Sequence, residues 1–273
     1  TSGIVNDATG TVADAYRGLG LARGPWGTPP PADAPRSLAD YADRLSQVPL
    51  VCDPGTAWHY SPNLDIVARV IEIVSGLPFD VFLHRRLFRP LGMTSTGFHV
   101  RPRDRHRLVT GYALNGGVLV ANDPAARSRL LSPPDFPSAS GGLLSTARDH
   151  DRFLAMIVGG GVLEGRRVFP ADAVALGTSN LLPAGTDMSH YTSKTGHDGF
   201  GAGGMVTIGG PRPGTFGWGG ASGTTAFANR QMQTRWASYT NVGASDFARR
   251  AMAAAGMAFS QAVLPGGTER PGG

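Results

Sequence analysis

The 273-residue chain has a single cysteine, Cys52, and a single lysine, Lys194. One thiol closes no intrachain disulfide, so packing and hydrogen bonds must hold the fold, and the redox compartment stays open. Cys52 reads as a small buried apolar residue. Long apolar runs are also missing. The longest candidate, Phe153 to Val158, stops at Gly159-Gly160-Gly161, far short of the ~20 residues of a membrane helix. Of the 25 basic residues all but one are arginine, and the formal charge is +5. The one dense cluster, Arg101, Arg103, Arg105 and Arg107, alternates with Pro102, Asp104 and His106 and has no aromatic platform. It reads as a solvated loop, and no nucleic-acid partner is expected. The sequence starts at Thr1 without Met and without a basic-then-apolar leader, so we expect polypeptide upstream to have been removed.

Signals for cofactors and metals are equally thin. Gly199, Gly201 and Gly204 satisfy G-x-G-x-x-G, but they follow a polar stretch and lead into a strand-like run, the wrong setting for a dinucleotide. Lys194-Thr195-Gly196 lies in Asp187 to Asp198, which reads as an exposed loop. Asp149-His150-Asp151 are adjacent on a helix and point different ways, so they suit a solvated first turn and not one ion. Neither a cofactor nor a metal is expected.

What is present is a core-forming, loop-rich chain: 41% hydrophobic, 16% charged, with 39 glycines and 21 prolines. Residues 5–47 read as polar loop followed by a short helix from Leu38 to Leu45. Ser61 suits an N-cap with Pro62 at the first helical position, and Leu64, Val67, Val70, Ile71 and Val74 recur at helical spacing before Gly76. A second helix, Phe79 to Arg89, is expected to end at Pro90 and Gly92. Gly117 to Ala121 is strand-like, and Thr146 with Asp149 forms a capping signal for a helix ending at Gly159. Met205 to Ile208, Thr224 to Asn229 and Trp236 to Val242 read as strands, the last two as a hairpin about Arg230 to Gln233. Ser245 suits the cap of a final Ala-rich helix running to Gln261. Alternating βαβ units are absent, so a parallel doubly wound sheet is not expected.

Tyr60 lies next to the expected helix start, where exposed N–H groups and the helix dipole favour negative charge. A tyrosine general base needs that environment. A ring merely packed on the first helical turn satisfies the same spacing.

Several stretches, in order, resemble one superfamily. Tyr60-Ser61-Pro62-Asn63-Leu64-Asp65 and Pro90-Leu91-Gly92-Met93-Thr94-Ser95-Thr96-Gly97-Phe98 are similar to the tyrosine and "PLGM-x-x-T-x-F" motifs of class C β-lactamase-like serine hydrolases. Ser140-Gly141-Gly142-Leu143-Leu144-Ser145-Thr146-Ala147-Arg148-Asp149 resembles their "GGL-x-ST-x-x-D" helix start. Phe216 to Thr224 occupies the place of their third motif, and Thr1-Ser2-Gly3 the end of "LLTHTSG". Tyr-Ser-x-x-x-Asp followed by Trp218-Gly219-Gly220, in place of Tyr-x-Asn and Lys-Thr-Gly, resembles the family VIII carboxylesterases.

The resemblance implies an α/β (α+β) β-lactamase/transpeptidase-like fold, an antiparallel sheet flanked by helices beside a mainly helical region. It implies one domain over 1–265, with 1–198 mostly helical or loop, 199–262 the sheet and last helix, and 266–273 a mobile tail. By resemblance Tyr60 is the base and the Ala221 N–H one oxyanion donor. Trp218, Gly219, Gly220 and Ser222 border the substrate, with Ser61 and Asp65 in support. The expected partner is a small ester or amide. Trp218 in place of a lysine favours neutral esters.

The S-x-x-K nucleophile motif is absent, because the residue three before Lys194 is Tyr191. No G-x-S-x-G replaces it. The sequence therefore implies a serine carboxylesterase lacking its nucleophile segment and the N-terminal part of its sheet, inactive by itself. The alternatives are a β-lactamase, D-amino-acid peptidase or acyltransferase of the same fold, or a non-catalytic remnant that binds a ligand or is complemented by another chain.

Overall fold

A computed structural model describes residues 1–6, 9–22, 31–191 and 196–243, with residues 250, 253–254 and 256–258 further on. Lys194, Thr195, Ser245 and the 266–273 tail lie outside the described residues.

The first region is helical. α1 (Gly10–Gly18) and α2 (Leu38–Leu45) enclose a cluster of Tyr16, Leu21, Tyr41, Leu45 and Val48. The sequence reading left α1 as loop. Its polar composition hides one inward face, on which Tyr16 is the buried residue. The Ser37 hydroxyl caps α2 by accepting from the Asp40 N–H at 3.0 Å, satisfying one orphan donor of the first turn.

α3 (Asn63–Ser75) follows, and it departs from expectation. Pro62, not Ser61, stands at its N-cap position, and no side chain caps it. Its buried face is Asp65 and Ala68. The apolar residues that mark the helix in the sequence are largely exposed, Leu64 at 39%, Val67 at 50%, Val70 at 52% and Val74 at 81%. Periodicity identifies a helix and its apolar face; it does not say what covers that face.

α4 (Phe79–Leu83) runs directly into a π-helical turn, His84–Phe88, and then α5 (Arg89–Leu91). Pro90 thus sits inside the helical run. A proline has no N–H to give the ladder and its ring crowds the preceding turn, which the wider π turn just upstream accommodates. Gly92 ends the run in the left-handed region, φ 65°, a conformation that costs glycine nothing.

α6 (Ala147–Val158) is capped as expected: the Thr146 hydroxyl accepts from the Asp149 N–H at 3.2 Å. Its first turn is only partly solvated: Asp151 is exposed as read, but Asp149 is buried. The Asp149 carboxylate accepts from the Ser95 N–H (2.7 Å) and Thr96 hydroxyl (2.9 Å), tying two of the motifs together. Leu154, Met156, Ile157 and Val158 of α6 pack with Leu91, Met93, Ala226 and Ala228 in the largest core cluster. α7 (Ala171–Gly177) adds Val174 to it.

Two short hairpins, β1 (Gly111–Asn115) with β2 (Val118–Asp123) and β3 (Val162–Leu163) with β4 (Arg166–Arg167), stand apart from the main sheet. That sheet is an antiparallel meander of five strands in sequence order. They are β5 (Asp198–Phe200), β6 (Met205–Thr207), β7 (Thr215–Gly220), β8 (Thr224–Asn229) and β9 (Thr234–Tyr239). Antiparallel neighbours need only tight turns, and those turns are in the sequence. β1, β5 and β7 were not read as strands. β7 is Thr-Phe-Gly-Trp-Gly-Gly, and glycine disguises a strand. The close approach of β8 requires Gly217, where an added Cβ would lie 2.1 Å from the Ala226 carbonyl oxygen.

Three smaller readings also change. Cys52 is half-buried. Pro102–Arg107 is a 3₁₀ helix organised around Asp104, whose carboxylate meets Arg101 at 2.7 Å and Arg107 at 3.1 Å. Tyr191, in the stretch read as an exposed loop, is buried. Among the described residues no helix is long and apolar enough to cross a membrane.

Candidate active site

The segment before α3 is extended and held from both sides. The Trp58 N–H donates to the Asp187 carbonyl and the Asp187 N–H to that of Thr56, each at 2.8 Å. The Tyr60 carbonyl accepts from the Asn6 N–H at 2.8 Å. Ser2 donates to Asn63 Oδ1 at 2.9 Å, which ties the Thr-Ser-Gly stretch to the start of α3. Trp58 is buried, so the alternation of an extended chain turns Tyr60 to the same side as Trp58 but further out. Its ring is 52% exposed.

Opposite stands Trp218 of β7. The Tyr60 and Trp218 rings are nearly parallel, 15° apart in plane with centroids at 6.2 Å. Behind them Tyr191 meets Trp58 edge-on at 4.8 Å, and Phe200 meets Trp58 at 5.5 Å and Trp218 at 5.4 Å. Five aromatic rings therefore form one wall here. Sequence reading found Tyr60 and Trp218 and missed Trp58, Tyr191 and Phe200. They come from three separate stretches, and only the paired segments bring them together.

β7 leads directly into the tight turn that carries Ala221 and Ser222. The Gly223 N–H closes it on the Gly220 carbonyl at 3.0 Å. Gly219, Gly220 and Ala221 are exposed and Ser222 is half-buried. The Ala221 N–H meets no acceptor among the described residues, which leaves a backbone donor in the turn after β7.

Ser61 is half-buried beside Tyr60. Asp65 is fully buried. It accepts from the Ser138 hydroxyl at 2.9 Å and the Ser140 N–H at 3.0 Å. Its part is to hold the stretch before α6 against α3. With Pro62 as cap, Tyr60 stands two residues ahead of it, one further than Ser61 as the cap would place it.

Burial first, and the charge of Asp198 second, push the Tyr191 phenol up to about 12. It stays a neutral ring at ordinary pH. Next to Tyr60, His59 lies 4.3 Å from His190 between ring centroids. Burial, then the neighbouring imidazole, hold His59 below its usual value. Among the described residues no group of three or more His, Cys, Asp or Glu side chains is arranged to hold a metal.

Comparison with known proteins is consistent across sequence and structure. The chain is 31% identical over 186 residues to an uncharacterized protein of Mycobacterium tuberculosis, covering 67% of this chain and 42% of that protein. It is 29% identical over 127 residues to the esterase EstB of Burkholderia gladioli, covering 42% of this chain and 32% of the esterase. Among solved structures, EstCE1, a hydrolase with promiscuous acyltransferase activity, superposes with a TM-score of 0.63 at 24% identity, over 76% of this chain and 57% of that one. The chain thus spans less than half the length of the curated relatives it matches. The model of the Beta-lactamase family matches residues 18–259. With that match, the helical region and the antiparallel sheet resolve into one assignment: this chain belongs to the Beta-lactamase family and has its β-lactamase/transpeptidase-like fold.

Proposed function

We propose that these residues form the base-bearing part of a serine carboxylesterase that cleaves small neutral esters through an acyl-enzyme. One observation carries the reading: the exposed Tyr60 ring faces Trp218 at the mouth of a turn whose Ala221 N–H is unclaimed among the described residues. The sequence has no S-x-x-K, so the serine and its lysine come from polypeptide outside these 273 residues. The 273 residues alone are inactive on this reading.

In the proposed reaction the phenolate of Tyr60 takes the proton of the serine hydroxyl as its oxygen attacks the ester carbonyl. The tetrahedral oxyanion accepts from the Ala221 N–H and from the nucleophile's own N–H. Tyr60 returns the proton to the departing alcohol and then takes one from water; that water attacks the acyl-serine, and Tyr60 gives its proton back to the serine oxygen as the acid leaves. Gly219, Gly220 and Ser222 border the substrate, while Ser61 and Asp65 keep the start of α3 in place. Among the described residues the aromatic wall offers no cation for a substrate carboxylate, which supports neutral esters over penicillins.

Acyl transfer to an alcohol instead of water is the second reading. The aromatic surfaces around Tyr60 support it by favouring an organic acceptor, and EstCE1 is described as having such activity.

The test uses protein that also carries the nucleophile segment. Tyr60→Phe should lower turnover of p-nitrophenyl butyrate by about 10²–10⁴-fold with an unchanged circular-dichroism spectrum. Wild-type turnover in that variant removes Tyr60 from the mechanism. Faster turnover of nitrocefin than of the ester removes the esterase reading and leaves Tyr60 in place.

A further inference from the structure

A cavity lies away from the Tyr60–Trp218 pair, and neither of those residues lines it. It is half open to solvent, has a volume of about 370 Å³ and is bordered by α4, the π-helical turn, the 95–101 stretch, the 3₁₀ helix and the residues just before α6. That volume falls in the range of small-molecule sites.

Its chemistry is divided. Val81, Phe88, Phe98 and Leu144 line it with apolar surface, and Phe88 and Phe98 are themselves core residues. The polar wall carries Arg85, Arg101 and Arg107 against Asp80 and Asp104. Two of the guanidiniums are fixed in advance. Arg101 forks onto Asp104 at 2.7 and 3.0 Å. Arg107 bridges Asp104 (3.1 Å) and the Ser95 hydroxyl (2.9 Å). Arg85 is exposed and makes no ion pair among the described residues. Three guanidiniums against two carboxylates leave one positive charge in excess.

The wall also contains the one stretch of irregular helix in the run from Phe79 to Leu91. The π-helical turn His84–Phe88 places both the free cation, Arg85, and an apolar lining residue, Phe88, on the cavity. Such turns cost hydrogen-bond geometry and are frequent where a helix lines a site.

From this juxtaposition we propose that the cavity binds a small monocarboxylic acid with an apolar body, its carboxylate on Arg85 and its chain against Phe88, Phe98 and Leu144. A single excess positive charge suits one carboxylate and rejects an amine. An apolar floor rewards burial of a short alkyl or aryl group. The inference is independent of the proposed esterase reaction.

Octanoate is the probe, titrated into the 273-residue chain and followed by calorimetry, with 1-octanol, octylamine and inorganic phosphate as comparators. Octanoate should saturate with a Kd on the order of 0.1–1 mM, and each comparator should bind at least about 10-fold more weakly. Arg85→Gln removes an exposed, unpaired cation, so the fold stays intact, and octanoate affinity should fall by about 5-fold or more. The proposal is overturned by absent saturation, by octanol or octylamine binding as tightly as octanoate, by phosphate doing so, or by an unchanged Kd in Arg85→Gln.

Discussion

Asp65 and Ser140 lie within one hydrogen-bonded corner and make opposite predictions. Asp65 is fully buried, and its carboxylate accepts from the Ser138 hydroxyl and the Ser140 N–H. Truncating it leaves both donors without that acceptor in a place water does not reach, which costs about 2–4 kcal/mol. The Ser140 hydroxyl is buried with no partner among the described residues. Removing such a group deletes a desolvation penalty, so Ser140→Ala should be neutral or stabilise by up to about 1 kcal/mol. Urea unfolding of the two variants checks the pair, and a Ser140→Ala loss of the Asp65→Ala size would show that the hydroxyl is satisfied in solution. Sequence reading could place Asp65 with Tyr60, because they share the Tyr-Ser-x-x-x-Asp pattern. It could not find its partners, which lie 73 and 75 residues further along. The same limit explains Trp58: a buried tryptophan before an exposed tyrosine is visible only once the Asp187 backbone pairs with the segment.

At the scale of elements, the joint between α6 and β9 makes the fold sensitive to acid. His150 bonds the Tyr239 hydroxyl at 3.0 Å, and Asp151 meets Arg235 at 2.6 Å. Burial holds the His150 imidazole below its usual value, against the pull of the Asp151 charge. A depressed imidazole means that the unfolded chain takes its proton first. Stability from this source is complete above about pH 6.5 and is lost as pH falls through the folded-state value. The Arg235 hydrogen bond keeps the Asp151 carboxyl below the ordinary range, and its contribution disappears only below about pH 4. Between pH 7.5 and 5, then, His150→Gln should lose less stability than the parent chain, and equal losses in urea midpoint would sink the assignment. Elements were legible where local chemistry and tertiary role agree. α2 and β8 span the residues read for them, and Thr146 caps α6 as read. β7 was not, because the glycines that let it approach β8 are the residues that weaken a strand signal. For α3 the periodicity gave the helix, but Pro62 displaced the expected Ser61 cap by one residue.

Over the whole molecule, the feature that asks most for an explanation is the outward face of α3. Single exposed apolar residues are ordinary on a protein surface. Leu64, Val67, Val70 and Val74 are something else, since spacings of three and four align them in one stripe, and Val74 is 81% exposed. A contiguous apolar stripe of this kind binds amphiphilic dyes and drives association in water. The 273-residue chain should accordingly enhance anilinonaphthalene-sulfonate fluorescence and self-associate as its concentration rises. Val70→Glu with Val74→Lys breaks the stripe and sets an acidic residue four before a basic one, a favourable pair on a helix. Net charge is unchanged, so any effect comes from the lost apolar surface and not from altered repulsion between molecules. Because both positions face solvent, the urea midpoint should stay within about 0.5 kcal/mol of the parent, while dye fluorescence and association both fall several-fold. If the double variant instead unfolds more easily by 2 kcal/mol or more, the stripe is packed in solution and α3 is turned differently from the arrangement described. Undiminished dye binding on a stable fold would move the sticky surface elsewhere, first to the β1–β2 hairpin, where Val118, Leu119 and Val120 are also exposed.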